Sequence, residues 1–111
     1  MSHLQRNQSE PIDRLFQGIL SLDTVDECYT FFSDLFTIQE LTAFAQRCQV
    51  AGLLLDGNTY EMVRSQVPVS SSTITRINTE LRYGSGGYQL VLNRLKKGDT
   101  QGSTQDPVPA K

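Results

Sequence analysis

The fold is predicted chiefly from residues 59–83, TYEMVRSQVPVSSSTITRINTELRY. Apolar residues recur at steps of three or four on both sides of Pro68, and a proline cannot continue a helix. The first set is Tyr60, Val63 and Val67, and the second is Ile74, Ile77 and Leu81. Ser70 or Ser71 can cap the second helix. Two short helices joined by such a turn form a helix-turn-helix, with an ordinary helical hairpin as the alternative.

The outward side chains of the second helix, predicted over residues 71–83, suit contact with DNA. In a helix-turn-helix this helix enters the major groove by its N-terminal end. Short hydroxyl side chains there let the backbone come close and can bond to phosphates or base edges. Arginines at either end can reach flanking phosphates. The predicted DNA contacts are Arg64, Ser70, Ser71, Ser72, Thr73, Thr75 and Arg82.

The 111-residue chain carries a net charge of −2, which is unusual for a DNA-binding protein. This charge is unevenly distributed, because residues 1–63 sum to −6, residues 64–97 to +5 and residues 98–111 to −1. Phosphate binding depends on the local field rather than on the charge of the whole chain. The basic block therefore fits a DNA-binding surface, although a solvated basic face would carry the same charge.

Three helices are predicted upstream of the helix-turn-helix, since the apolar spacing is helical throughout. Their ranges are about 10–21, 25–35 and 38–55. Capping boxes begin the second and third helices, and a glycine gives the third a left-handed end. These residues are Thr24 with Glu27, Thr37 with Glu40, and Gly57.

The apolar stripes on these first helices are wide for so short a chain. A small domain buries a limited share of its surface, so a second subunit is expected to cover them, forming a homodimer through residues 10–56. Residues 1–8 and 98–111 are polar and aperiodic and are expected to be disordered. The domain between them, residues 9–97, consists of dimerisation helices (9–57), the helix-turn-helix (59–83) and a C-terminal helix (87–97).

Other classes of function find little support in the sequence. The one histidine, His3, lies in the polar N-terminal segment, so neither a catalytic nor a metal site based on histidine is expected. Cys28 and Cys48 lie on apolar helical stripes, which predicts reduced core residues. No stretch approaches the roughly 20 apolar residues of a membrane span, and no signal-peptide pattern is present. We therefore expect a cytoplasmic protein that is not an enzyme.

Several motifs between residues 37 and 88 occur in a characteristic order. They are Thr37/Glu40/Leu41, Gln46-Arg47, LLDGNTY at 54–60, SSSTITRIN at 70–78 and YGSGGY at 83–88. The run STITR at 72–76 resembles the recognition-helix core of the Trp repressor, and the whole series resembles the Trp repressor-related family of YerC/YecD type. No single motif is specific, but their order and spacing together are.

This resemblance implies an all-α, Trp repressor-like helical array that forms an intertwined homodimer. The acidic half, residues 1–63, would interlock with the partner subunit. The two recognition helices would meet successive turns of double-stranded DNA. The implied function is that of a dimeric, sequence-specific transcriptional regulator, acting as a repressor. The alternative is a dimeric adaptor of the same fold that binds a protein partner. A continuous positive face over residues 64–97 would favour DNA.

The resemblance also raises the question of a small-molecule effector. The Trp repressor holds its corepressor with two arginines, and Arg47 and Arg76 match their positions. Ile77, however, stands where the repressor has a glycine, and Glu80 where it has a serine. A branched side chain in the place of the indole would overfill such a site. Tryptophan is therefore not expected to bind, no cofactor is required, and the identity of any effector stays open.

Overall fold

The computed structural model describes residues 10–105, and every regular element in this range is an α-helix. The helices are α1 (Glu10–Leu20), α2 (Val25–Leu35), α3 (Ile38–Leu55), α4 (Tyr60–Gln66), α5 (Ser71–Tyr83) and α6 (Gly87–Gln105). The predicted all-α class is confirmed, and the bounds of α1, α2, α3 and α5 agree with the predicted ranges to within a residue. Residues 1–8, which the sequence predicts to be disordered, lie outside the described residues.

Local hydrogen bonds account for where α2 and α3 begin. The hydroxyl of Thr24 accepts a hydrogen bond from the Glu27 N–H at 3.0 Å. At the start of α3 the exchange is reciprocal, because Thr37 Oγ1 accepts from the Glu40 N–H at 3.1 Å and Glu40 Oε1 accepts from the Thr37 N–H at 2.9 Å. Each bond satisfies an N–H that has no partner within the helix. Both predicted capping pairs are thus present.

The C-terminal end of α3 is set by Gly57, which has a φ of +94°. Its N–H donates to the Leu54 carbonyl, and the Asn58 N–H donates to the Leu53 carbonyl, each at 3.0 Å. This pair of bonds is the Schellman arrangement, which places its left-handed residue at a glycine. The predicted glycine cap is therefore confirmed, and it turns the chain from α3 towards the helix-turn-helix.

The last helix is longer than the sequence predicts. A helix ending at residue 97 and a disordered tail are expected from the glycines and polar residues that follow, whereas α6 continues to Gln105. Glycine disfavours a helix by only about 1 kcal/mol relative to alanine, so Gly98 and Gly102 do not force it to end. The predicted boundary at residue 97 is therefore wrong.

The described residues form two compact units, with the boundary between Gln46 and Arg47. The second unit contains a buried apolar cluster to which α3, α4 and α5 all contribute. Half-buried side chains from α6, among them Tyr88 and Leu92, pack against this cluster. The buried members are Val50, Ala51, Val63, Val67, Ile74 and Ile77. This core holds both helices of the helix-turn-helix against the C-terminal half of α3.

The first unit, residues 10–46, has no buried residue in α1 or α2. Its aromatic side chains contact one another, and the ring centroids of Phe32 and Phe36 lie 5.7 Å apart in a stacked arrangement. Phe36 also meets Phe44 edge to face at 5.1 Å. Several large apolar side chains remain exposed in this unit, including Leu20 at 83% and Val25 at 71%. A single chain therefore leaves the apolar faces predicted by the sequence largely uncovered.

Replacing Gly84 by alanine is expected to destabilise the fold by about 1–3 kcal/mol. A Cβ atom at this position would lie 2.5 Å from the Glu80 carbonyl oxygen, which accepts the hydrogen bond from the Gly84 N–H. Urea unfolding monitored by circular dichroism measures this loss. The matched control is Gly87→Ala, because a Cβ there meets no atom within 4 Å. Equal stabilities for the two variants would contradict the steric argument.

Candidate nucleic-acid interface

The helix-turn-helix consists of α4, the turn at 67–70 and α5. Val67 ends α4 and is 1% exposed, so the turn is anchored in the core. Around Pro68 the chain makes a tight turn in which the Val69 N–H donates to the Val67 carbonyl at 2.8 Å. Ser70 then caps α5, its hydroxyl accepting from the Thr73 N–H at 3.2 Å. Of the two predicted capping residues, the structure selects Ser70.

One face of α5 is buried and the opposite face is polar and exposed. The inner face carries Ile74 and Ile77, which are 0% and 2% exposed. The outer face carries exposed residues at steps of four, four and three, which keeps them on one side of a helix. These residues are Ser71, Thr75, Thr79 and Arg82. Burial of the inner face therefore determines which side chains are available to a partner.

The hydroxyl groups on α5 and its cap divide into two kinds. Some are engaged within the protein, since Ser70 Oγ lies 3.1 Å from Ser72 Oγ and 3.0 Å from Thr73 Oγ1. The Thr79 hydroxyl likewise donates to the Thr75 carbonyl at 3.0 Å. Ser70 and Thr73, which the sequence predicts as DNA contacts, thus also hold the first turn of α5 together. Ser71 and Thr75 are exposed and outside this hydroxyl cluster.

The two arginines predicted to contact phosphate occupy different ends of this surface. Arg64, on α4, donates from Nη1 to Ser71 Oγ at 2.8 Å. Arg82 is exposed in the last turn of α5. With a rise of 1.5 Å per residue, it lies about 16 Å from Ser71 along the helix axis. The structure therefore brings Arg64 to the first turn of α5 and leaves Arg82 at the opposite end.

One lysine of the basic block is paired with an acidic residue from the other half of the sequence. Lys96 Nζ lies 3.0 Å from Asp56 Oδ1 in a pair whose side chains are 71% and 50% exposed. An ion pair this exposed adds little to stability. It does reduce the positive field near α6, where Arg94 and Lys97 are also exposed.

The residues that the sequence suggests for an effector pocket, Arg47, Arg76, Ile77 and Glu80, differ in how far they are buried. Ile77 belongs to the buried core, whereas Arg76 is exposed and Glu80 half-buried. Tyr88, which sequence analysis did not include, lies close enough to Arg47, Arg76 and Glu80 to interact with them electrostatically. The pKa of its phenol is raised, chiefly by burial and by the nearby Cys48 thiol.

Tyr88 also borders a cavity at the start of α6. Together with Glu80 and residues 85–87 it lines a cavity of about 270 Å³. The clue in the sequence was the one-turn spacing of Tyr88 and Leu92, which places both on the inner face of α6. Gln89 links this end of α6 to α5, since its Nε2 donates to the Leu81 carbonyl at 2.8 Å.

Neither a metal cluster nor a membrane span is found among the residues that the structure describes. No group of three or more histidine, cysteine, aspartate or glutamate residues there is arranged to hold a metal ion. No helix in the same part of the chain is both long and apolar enough to cross a membrane.

Known proteins share this arrangement of helices. A family model described as Trp repressor protein matches residues 10–96. The YerC protein of Bacillus subtilis (strain 168) is 39% identical over 102 residues, which make up 92% of this chain and 98% of YerC. The crystal structure of a TrpR like protein from Eubacterium eligens ATCC 27750 has a TM-score of 0.78 at 40% identity, covering 80% of this chain and 92% of that chain. A solved structure from Staphylococcus aureus has a TM-score of 0.79 at 34% identity, with coverages of 85% and 96%.

Proposed function

Because this chain belongs to the Trp repressor family, we propose that it is a dimeric, sequence-specific DNA-binding regulator that represses transcription in the bacterial cytoplasm. The family is one of helical DNA-binding regulators rather than enzymes, and the family match over 10–96 confirms the resemblance seen in the motifs. The observation that carries the proposal is the exposed hydroxyl-bearing face of α5, which a buried helix-turn-helix core holds outward.

In this proposal the first turn of α5 enters the major groove. Ser71, Ser72 and Thr75 are exposed there and meet base edges, since hydroxyl groups can both donate and accept hydrogen bonds. Arg64 and Arg82 supply positive charge at the two ends of the surface and meet phosphates. Phosphate contacts position the protein, whereas the hydroxyl groups select the sequence.

Dimerisation is proposed through residues 10–56. The support is the exposed apolar surface of the first unit, where Phe16 is 47% exposed, Leu20 83% and Ile38 71%. Apolar side chains in such number favour burial against a second copy, which contributes about 25 cal/mol for each Å² removed from water. A two-fold dimer would present its recognition helices to half-sites about 34 Å apart, one turn of DNA.

The proposed regulator does not use tryptophan as a corepressor. Ile77, at 2% exposed, is part of the core rather than the wall of an empty slot. Tyr88 is an aromatic side chain within electrostatic range of Arg47 and Arg76, and it lines a cavity together with Glu80. Glu80 would also repel the carboxylate of an amino acid placed beside it. DNA binding would then be constitutive or controlled by a different, smaller effector.

The DNA-binding proposal predicts that Arg82→Ala and Thr75→Val have different effects. Loss of Arg82 should weaken all duplexes about equally and reduce the slope of log K against log salt by about one per subunit. Loss of the Thr75 hydroxyl should instead change the preferred sequence and leave the slope unchanged. Salt-dependent gel shifts against a pool of random duplexes measure both effects.

Arg14→Ala is the matched control, since Arg14 is an exposed arginine on α1 and outside the proposed surface. It should leave affinity and slope near those of the wild type. If the Arg82 and Thr75 variants behave alike, the division between phosphate and base contacts is wrong. If the wild type binds no duplex, the adaptor function, with a protein partner, becomes the better interpretation.

Sedimentation should show a dimer at micromolar concentration. The Leu20→Glu substitution should weaken this dimer, because it places a charge on an exposed apolar face. Gln17→Glu introduces the same charge at an exposed polar position of α1 and serves as the control. A wild-type chain that sediments as a stable, folded monomer would refute the proposed dimer.

Titration calorimetry with tryptophan should give no saturable heat at tens of micromolar ligand. Glu80→Ser should not restore binding, because Ile77 and Tyr88 remain in place. Replacing Ile77 itself is less informative, since removing a fully buried branched side chain costs about 2–5 kcal/mol and endangers the fold. Saturable heat with the wild type would show that these side chains leave room for the ligand.

A further inference from the structure

A hydrogen bond between the two helices of the helix-turn-helix orients one hydroxyl group. Arg64 Nη1, on α4, lies 2.8 Å from Ser71 Oγ, on the first residue of α5. A guanidinium group can only donate hydrogen bonds, so the Ser71 oxygen accepts here. The positive charge makes this a strong bond of its kind. Arg64 cannot accept the Ser71 hydroxyl proton, so this proton is left for another acceptor, while the oxygen keeps one further lone pair.

Within the described residues, no other side-chain hydrogen bond of Ser71 is found, and its side chain is exposed. The neighbouring hydroxyl groups differ in this respect. Ser70 Oγ lies 3.1 Å from Ser72 Oγ and 3.0 Å from Thr73 Oγ1, and in each pair either oxygen can donate. Thr79 donates its proton to the Thr75 carbonyl. Ser71 differs from these groups because its oxygen accepts from a charged donor while its own proton has no side-chain acceptor among the described residues.

We propose that Arg64 is a positioning residue that holds the Ser71 hydroxyl as a hydrogen-bond donor to DNA. The inference rests on the proposed DNA-binding function and deepens it. In this role the Ser71 proton meets an acceptor on the DNA. In the major groove the acceptors are a purine N7, a guanine O6 and a thymine O4. An amino group of cytosine or adenine would have to use the remaining lone pair of the Ser71 oxygen, and a contact of that kind would contradict the donor role. A phosphate oxygen has the same acceptor chemistry, and the experiment distinguishes the two sources.

This role differs from a simple phosphate contact by Arg64. A phosphate contact acts through charge and is independent of Ser71, so the losses from removing either side chain would add. A positioning role acts through the Ser71 hydroxyl, so removing Arg64 should cause little further loss of discrimination once Ser71 is alanine. The two side chains are both exposed, and their truncation is expected to leave the core intact.

The test is a double-mutant cycle of Ser71→Ala and Arg64→Ala on the full chain, with a preferred duplex found by selection. Each single variant should reduce discrimination at the same base pair by roughly three- to tenfold, the worth of one hydrogen bond. The double variant should show no larger loss of discrimination than Ser71→Ala alone. Ser65→Ala is the control, since its hydroxyl donates to the Met62 carbonyl within α4 and should not affect DNA binding.

Modified duplexes identify the acceptor. If it is a purine N7, a 7-deazapurine at the affected base pair should reproduce the loss in the wild type and leave Ser71→Ala unaffected. If it is a phosphate, Ser71→Ala should weaken all sequences equally, and one neutral methylphosphonate linkage should cancel the difference.

Additive losses, or no effect of Ser71→Ala, would overturn the proposal while leaving DNA binding intact. Absence of salt-dependent binding by the wild type would refute the proposed function itself.

Discussion

Burial of Ile74 and Ile77 against α3 and α4 is the interaction on which the candidate interface depends. These two side chains fix the rotation of α5 about its own axis, because both are almost fully removed from water. Residues at the complementary positions of the helix must then face outward. The hydroxyl groups of Ser71 and Thr75 are exposed for this reason, and not because of any contact of their own. Core packing and the chemistry of the surface are therefore two consequences of one helix orientation.

The two units differ in how much of their apolar surface a single chain buries. Residues 47–105 bury a cluster of valine, alanine and isoleucine side chains within a single chain. Residues 10–46 leave aromatic and aliphatic side chains exposed, although their helices are well capped. If a second copy covers these faces, as proposed, folding stability and dimerisation are linked and stability depends on protein concentration. Such a division leaves the basic, hydroxyl-rich surface available for DNA.

The surroundings of Tyr88 bear on how such a regulator is controlled. The Tyr88 phenol is within electrostatic range of Arg47 and Arg76, the two arginines that the family resemblance assigns to a corepressor site, and Ile77 belongs to the buried core. In the proposed function these side chains leave no room for tryptophan. Loss of the empty slot would remove the dependence on tryptophan without changing the fold.

Helices α1 to α5, the caps of α2, α3 and α5, and the inner face of α5 can be predicted from the sequence alone. Thr37 with Glu40, Ser70 with Thr73 and Gly57 act through bonds between residues three to five positions apart, so their geometry is contained in the local sequence. The packed fold was needed to show that Arg64 meets Ser71, that the Tyr88 phenol is within electrostatic range of Arg47 and Arg76, and that Lys96 pairs with Asp56. These pairs join separate helices. Their distances follow from how the apolar faces pack, and no short-range periodicity encodes that packing.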